Sequence, residues 1–247
     1  MKKFLIALQF LTILPIKIKS EIKERDFGAS LVYFPIIGAF IGLLLVLIFI
    51  IFSFLPYLVK VALVLITYII ITGGMHLDGF ADTCDGFYAG KSKEETLTIM
   101  RDPRIGTIGV IGLICLLLFK FVILISIPRE VLEKSLIAMV VFGRWSQVFA
   151  CYTSDYARQE GKARSFIEYA GNKGIFLATL FTLGLFFFSL KMKGLILFLA
   201  SALPVFLFIN FTKRKIGGMT GDTIGATNEL AEVGLLFFNL IYGLCFY

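Results

Sequence analysis

Between Asp26 and Lys60 the chain carries no charged residue, and LVYFPIIGAFIGLLLVLIFIIFSFL fills positions 31–55. A bilayer core of about 30 Å is crossed by about 20 apolar residues of helix. Backbone in hydrocarbon must satisfy its own hydrogen bonds, so such a run is dictated to be a transmembrane helix. The same criterion predicts spans at 31–55, 59–75, 105–127, 135–152, 174–190, 194–211 and 228–247. The expected architecture is an all-α, polytopic transmembrane bundle of about seven spans forming a single domain, 1–247. Segment 4–16 is too short to cross and is expected to lie in the interface or re-enter, with Pro15 marking its end. Composition excludes the ordinary soluble class: 58% of residues are hydrophobic and the mean hydropathy is +0.91, against roughly 45–50% apolar usage in soluble domains. The opening MKKFLIALQFLTILPI imitates a secretory signal, but KIKSEIKER follows where a small-residue cleavage site is needed, so it is read as retained.

Alternate connections between these spans fall on opposite faces, and the charges divide with them. Loops 17–30, 76–104, 153–173 and 212–227, together with Lys2 and Lys3, hold 17 of the 24 Lys and Arg residues. The other face holds only Lys60, Arg129, Lys134, Lys191 and Lys193, while Lys120 and Arg144 lie inside spans. Positive-inside reasoning puts the long loops in the cytoplasm, and attraction of an anionic substrate is a second pull on the same residues. The acids follow the same division, with only Glu130 and Glu133 on the other face. Chemistry is therefore expected on the cytoplasmic side. Cys84, Cys115, Cys151 and Cys245 form no CxxC pair, so neither disulfides nor a zinc site is expected.

GGMHLDGFADTCDGFYAG, residues 73–90, departs most from its surroundings. If it is helical, Asp78, Asp82 and Asp85 stand at i, i+4 and i+7 and share one face, within an arc of roughly 60° at 100° per residue. Like charges so placed repel and call for a cation. Mg²⁺ is the natural candidate, since it binds oxygen through one or two carboxylates plus substrate phosphates. Zinc fits poorly, because His76 is the only histidine; that residue is read as hydrogen-bonded structure rather than as a catalyst. The following KSKEETLTIMRDPRIGTIGV begins with Ser92 and Glu95 at capping-box spacing. Lys91, Arg101 and Arg104 then stand near the acids, where an arginine fork suits phosphate oxygens.

Arg144, within VVFGRWSQVFACY, needs a partner in so apolar a setting: a carboxylate of the cluster or a substrate phosphate. Lys120 is read as snorkelling or structurally paired. Near the end Asp222, Glu229 and Glu232 enter the last span, the first two again at i, i+7. Gly38 and Gly42 have the G-x3-G spacing of a helix interface, which does not by itself establish a dimer.

The block GGMHLDGFADTCDGFYAGKSKEETLTIMRDPRIGTIGV resembles the signature of the cobalamin synthase (adenosylcobinamide-GDP ribazoletransferase) family. ALQFLTILPI at 7–16, GRWSQVFACYTSDYARQEGKA at 143–163 and GGMTGDTIGATNELAEV at 217–233 resemble its other blocks in order. The resemblance implies a Mg²⁺-dependent prokaryotic inner-membrane enzyme acting late in vitamin B12 synthesis. It would transfer phosphocobinamide from adenosylcobinamide-GDP to the 5′-hydroxyl of α-ribazole, or of its 5′-phosphate, releasing GMP. Its partners would be those substrates and the lipid bilayer, with no nucleic acid; a homo-oligomer is left undetermined. On that reading Asp78, Asp82 and Asp85 hold the metal, and Lys91, Arg101, Arg104 and Arg144 bind substrate. Asp82 and Asp85 are also candidate catalytic residues, and Asp82, Asp222 and Glu229 are alternatives for accepting the hydroxyl proton.

A more distant similarity is to the CDP-alcohol phosphatidyltransferases. Asp82, Asp85, Gly86 and Ala89 follow the first half of their motif, but Gly90 replaces its arginine and the second half is missing. A lipid synthase of that kind is one alternative function. An ion or solute transporter is another, although transporters place their charges near the bilayer midplane.

Overall fold

The structure, a computed structural model, describes residues 1–161 and 163–244 in full and the backbone of 245 and 246. Cys245 as a side chain, and the end of the expected span at 247, lie outside the described residues.

Helix α1 (Lys2–Leu11) is followed by α2 (Glu24–Ser30), a single 3-10 turn and α3 (Phe34–Ile51). Then come α4 (Tyr57–Thr72), α5 (Met75–Ala89), α6 (Lys93–Ile99), α7 (Thr107–Ser126), α8 (Arg129–Thr153), α9 (Arg164–Glu168), α10 (Asn172–Ile216) and α11 (Gly221–Phe246). Their starts follow local chemistry. Pro35 opens α3, where its missing N–H costs nothing. Pro56 and Pro128 stand immediately before α4 and α8. Ser92 Oγ accepts the Glu95 N–H at 3.1 Å, as its spacing predicted.

Among the described residues five helical units are long and apolar enough to cross a membrane: 24–51, 107–126, 129–153, 172–216 and 221–244. Helices α4 and α5 meet the criterion only together, as a pair bent by 87°. The sequence led us to expect 59–75 as a complete span, but α4 stops at Thr72 because Gly73 and Gly74 both adopt left-handed conformations, with φ of 63° and 65°. Helix α10, at about 1.5 Å per residue, would be about 68 Å long if straight, twice the hydrocarbon thickness. It is broken at Lys191 (φ 58°, ψ −141°), and Phe186 and Phe198 meet across the break with ring centroids 5.9 Å apart. The chain therefore doubles back, and the arms 172–190 and 192–216 correspond to the segments expected at 174–190 and 194–211.

Helix α8 is the centre of the bundle. Its most apolar window is 78% buried against 28% for α7, and α3, α10 and α11 pack around it. The G-x3-G spacing of α3 is spent inside the molecule: a Cβ on Gly42 would lie 2.7 Å from Ile137 Cα, and one on Gly38 3.0 Å from Val141 Cα. Helix α1 is docked into the core through Ile6, Ala7 and Leu11, so the N-terminal segment is part of the fold and not a loose surface strip.

Candidate active site

Asp78, Asp82 and Asp85 do share one helix, α5, but their carboxylates have different surroundings. Asp85 is turned towards the start of α7, where its two oxygens accept the Gly106 N–H at 2.7 Å and the Gly109 N–H at 2.8 Å. A carboxylate there satisfies orphan amides and meets the positive end of the helix dipole. Asp85 is thus engaged in holding α5 against α7.

Asp78 and Asp82 face α11. A Cβ on Gly79 would lie 2.7–2.8 Å from backbone atoms of Asp222, so the two helices touch backbone to backbone and Asp222 comes beside the α5 acids. The charges of Asp222, Asp78 and Asp85 all act on Asp82. The cation facing this group is Arg158, whose guanidinium lies 2.8 Å from Asp222 Oδ2. Asp78 and Asp82 make no ion pair among the described residues.

Arg158 reaches that position because its loop is pinned to the turn before α11. Tyr156 and Met219 form a parallel bridge, with the Ala157 N–H donating to Met219 O at 2.9 Å and the Met219 N–H to Asp155 O at 2.8 Å. Beside it, burial pushes the Tyr156 phenol up, so the hydroxyl stays neutral at ordinary pH.

Beneath Arg158 and Asp222 lies a cavity of about 330 Å³. Asp78, His76, Gln147, Phe10, Phe34 and Phe166 are among the residues that line it. The three rings pack together, with centroids 4.5 Å apart for Phe10 and Phe166, 5.7 Å for Phe34 and Phe166, and 6.0 Å for Phe10 and Phe34.

The other residues expected at the site stand further off. Arg104 is mostly exposed and forks onto Asp102, with Nε–Oδ1 3.0 Å and the terminal nitrogen 2.8 Å from Oδ2. Those bonds hold the Asp102 carboxyl down to about 2. Arg104 still borders a cleft shared with Asp82 and Asp85. Arg101 is exposed, donates weakly to Glu160 O at 3.4 Å, and lines a second cleft together with Arg158. Lys91 is exposed, and its backbone N–H donates to Glu95 Oε2 at 2.9 Å.

Arg144 and Glu229 require correction. Both are buried and neither borders the cavity. Lys120 lies 2.7 Å from Glu229 and 2.9 Å from Glu232, while Arg144 lies 3.7 Å from Glu232 and bonds Asn228, His76 Nδ1 (3.3 Å) and the Tyr68 hydroxyl (3.3 Å). The Tyr68 hydroxyl in turn donates to Glu232. Two cations thus balance two carboxylates away from solvent, and the partner that Arg144 needs is Glu232, not a substrate phosphate. Glu229 has its proton-accepting oxygens committed to Lys120 and Asn228.

Whether these residues suit a divalent ion can be tested on donor chemistry. Among the described residues no three His, Cys, Asp or Glu side chains stand close enough together to hold a metal by themselves. Mg²⁺, however, is commonly held by one or two carboxylates with the rest of its shell from water and phosphate. Asp78, Asp82 and Asp222 offer hard oxygens with one cation among three charges, which fits that mode of binding. Sequence reasoning missed Arg158, Gln147 and Tyr68. The signal for the first was available, since Arg158 lies in the same block as Arg144, but nothing local distinguishes it from Arg164, six residues on.

The comparisons with known proteins agree over nearly the whole length. The family described as cobalamin-5-phosphate synthase matches residues 3–240. An adenosylcobinamide-GDP ribazoletransferase of Acetivibrio thermocellus is 38% identical, covering 96% of this chain and 96% of its own. Proteins of the same name from Clostridium acetobutylicum (37% identical, 94% of this chain and 92% of its own) and Fusobacterium nucleatum (35% identical, 98% of each) are similar. No solved structure matches. The chain belongs to the cobalamin-5-phosphate synthase family.

Proposed function

We propose that this protein transfers the phosphocobinamide group of adenosylcobinamide-GDP to the 5′-hydroxyl of α-ribazole or α-ribazole 5′-phosphate, releasing GMP. The observation that carries this reading is the end-to-end match to relatives bearing that activity in their name, combined with an acidic cluster and one arginine at the mouth of a cavity. A multi-pass protein with this charge division would lie in the prokaryotic cytoplasmic membrane with its site facing the cytoplasm.

Arg158 is the group suited to a phosphate oxygen. Its Nε is buried without a partner among the described residues, and a guanidinium carrying a spare donor in a cavity wall fits a tetrahedral anion. Asp222 fixes the rotamer of that arginine. Asp82, which has no cation of its own, is the carboxylate best placed to accept the hydroxyl proton. One or two of Asp78, Asp82 and Asp222 would hold Mg²⁺ together with phosphate oxygens, and the ion would supply charge neutralisation for the diphosphate. Asp85 would act through position, by fixing α5 against α7.

A lipid synthase would share the reaction class, and a transporter would share the intramembrane charges. The buried Lys120–Glu229–Glu232–Arg144 group is balanced and none of its four side chains lines the cavity, which favours neither alternative. Incubating purified protein with adenosylcobinamide-GDP, α-ribazole and Mg²⁺ should release GMP in step with product. No GMP from folded protein would overturn the proposal.

A further inference from the structure

The cavity under Arg158 has one feature that the phosphate chemistry leaves unused, the amide of Gln147. This side chain is 1% exposed, borders the cavity, and has only one end of its amide hydrogen-bonded. The bonded end lies 2.7 Å from His76 Nε2. The other ring nitrogen, Nδ1, faces the Arg144 guanidinium at 3.3 Å. A guanidinium has donors only, so Nδ1 must be the accepting nitrogen of a neutral imidazole and Nε2 must carry the proton. The amide then presents its oxygen to His76, since amide orientation is decided by the hydrogen-bond network. Its NH₂ group is left to the cavity, as a buried donor without a protein partner among the described residues.

A buried donor left unmade is costly, and here it borders a space that the packed rings of Phe10, Phe34 and Phe166 also line. Packed rings and a fixed amide donor in one cavity suit a flat, largely apolar heterocycle that has one unprotonated ring nitrogen. The volume, about 330 Å³, accommodates such a base but not a corrinoid ring system. Arg158 and Asp222 at the mouth would then stand where the sugar hydroxyl emerges.

We propose that this cavity receives the base of the nucleoside acceptor, with Phe10, Phe34 and Phe166 against its ring face and Gln147, oriented by His76, reading the unprotonated ring nitrogen. The assignment rests on the transferase reading above and adds the determinant of acceptor specificity. Arg144 takes part only as a positioning residue, because it fixes the tautomer of His76.

The test compares two nucleosides for binding to purified full-length protein without the donor substrate: α-ribazole, and its indole analogue in which the unprotonated ring nitrogen is a C–H. Wild-type protein should bind α-ribazole at least about tenfold more tightly, the range expected when a buried polar group loses its partner. Gln147→Glu keeps an oxygen towards His76 and replaces the NH₂, so the ratio should fall to near one. Phe166→Leu should weaken both nucleosides and leave the ratio unchanged, which separates ring contact from nitrogen readout and guards against a variant that folds poorly. Equal binding of the two nucleosides to wild type, or an undiminished ratio in Gln147→Glu, would overturn the assignment. GMP release by wild type, measured separately, distinguishes that failure from failure of the transferase reading.

Discussion

Two acidic groups lie along the contact of α5, α7 and α11, and they differ in how their charge is balanced. In the deep group Glu229 and Glu232 are matched by Lys120 and Arg144, all four buried. In the other group Asp78, Asp82 and Asp222 share, among the described residues, only Arg158 and border open space. A balanced set sealed from solvent is a strut, because each charge is already solvated by its neighbour. An unbalanced set beside a cavity is incomplete until something positive and something anionic enter it. Compensation, more than the presence of acids, tells scaffold from site in this bundle.

The sharpest way to break that comparison is to remove one charge from each group. Asp82→Asn removes an unpaired carboxylate without orphaning a partner, so insertion and melting temperature in detergent should be unchanged. GMP release should fall by about a thousandfold or more, the scale of lost electrostatic and proton-transfer assistance in such sites. Activity within tenfold of wild type would remove Asp82 from the chemistry. Chelation with EDTA should abolish turnover in the wild type, with recovery on adding Mg²⁺.

Lys120→Met tests the other side. It strands Glu229 and Glu232 with only Arg144 for company, and breaking a buried pair from one side costs about 3–5 kcal/mol. The expected result is lost yield and a lowered melting temperature in detergent, with near-normal specific activity in the fraction that remains folded. A stable but inactive Lys120→Met protein would show that the deep group belongs to the reaction after all.

The apolar runs made the bundle legible, since lipid solvation and span length leave few alternatives. What they hid is informative. The last helix begins at Gly221, not at 228, because Thr223, Thr227 and Asn228 are buried against protein; hydropathy measures comfort in lipid and is blind to polar residues satisfied by other helices. The right angle after Thr72 depends on two glycines whose handedness a composition window does not register. Within the site, Asp78, Asp82 and Asp222 stood out by spacing and by contrast with their surroundings. Asp85 shared the spacing but is taken by α7, a helix that begins 22 residues later, and only tertiary structure shows that. Arg144 was rightly expected to need a partner, yet the choice between carboxylate and phosphate turned on Glu232, 88 positions away. Arg158 was hidden for the same reason: its place beside Asp222 is set by the Tyr156–Met219 bridge.

Within the incomplete group, Arg158→Lys sharpens the contrast between a fixed fork and a mobile point charge. Lysine keeps the charge beside Asp222 but cannot bond Asp222 and a phosphate through one rigid plane. Turnover should drop about tenfold to a hundredfold, mostly in kcat, with stability unchanged. Equal kinetics for lysine and arginine would mean that only charge matters there.

The smallest effect is expected at Arg104. It follows the α5 acids closely in sequence and borders a cleft with Asp82 and Asp85, but it is spread into solvent and its fork is filled by Asp102. An exposed pair of this kind contributes little, and a guanidinium already bonded at two nitrogens must exchange one partner before it can bind another. Arg104→Ala should therefore change GMP release by less than about threefold, within the small effects typical of surface substitutions. A loss comparable to that of Arg158→Lys would mean that Arg104 swings from Asp102 onto the substrate, and that the cleft it shares with Asp82 is part of the path taken by the diphosphate.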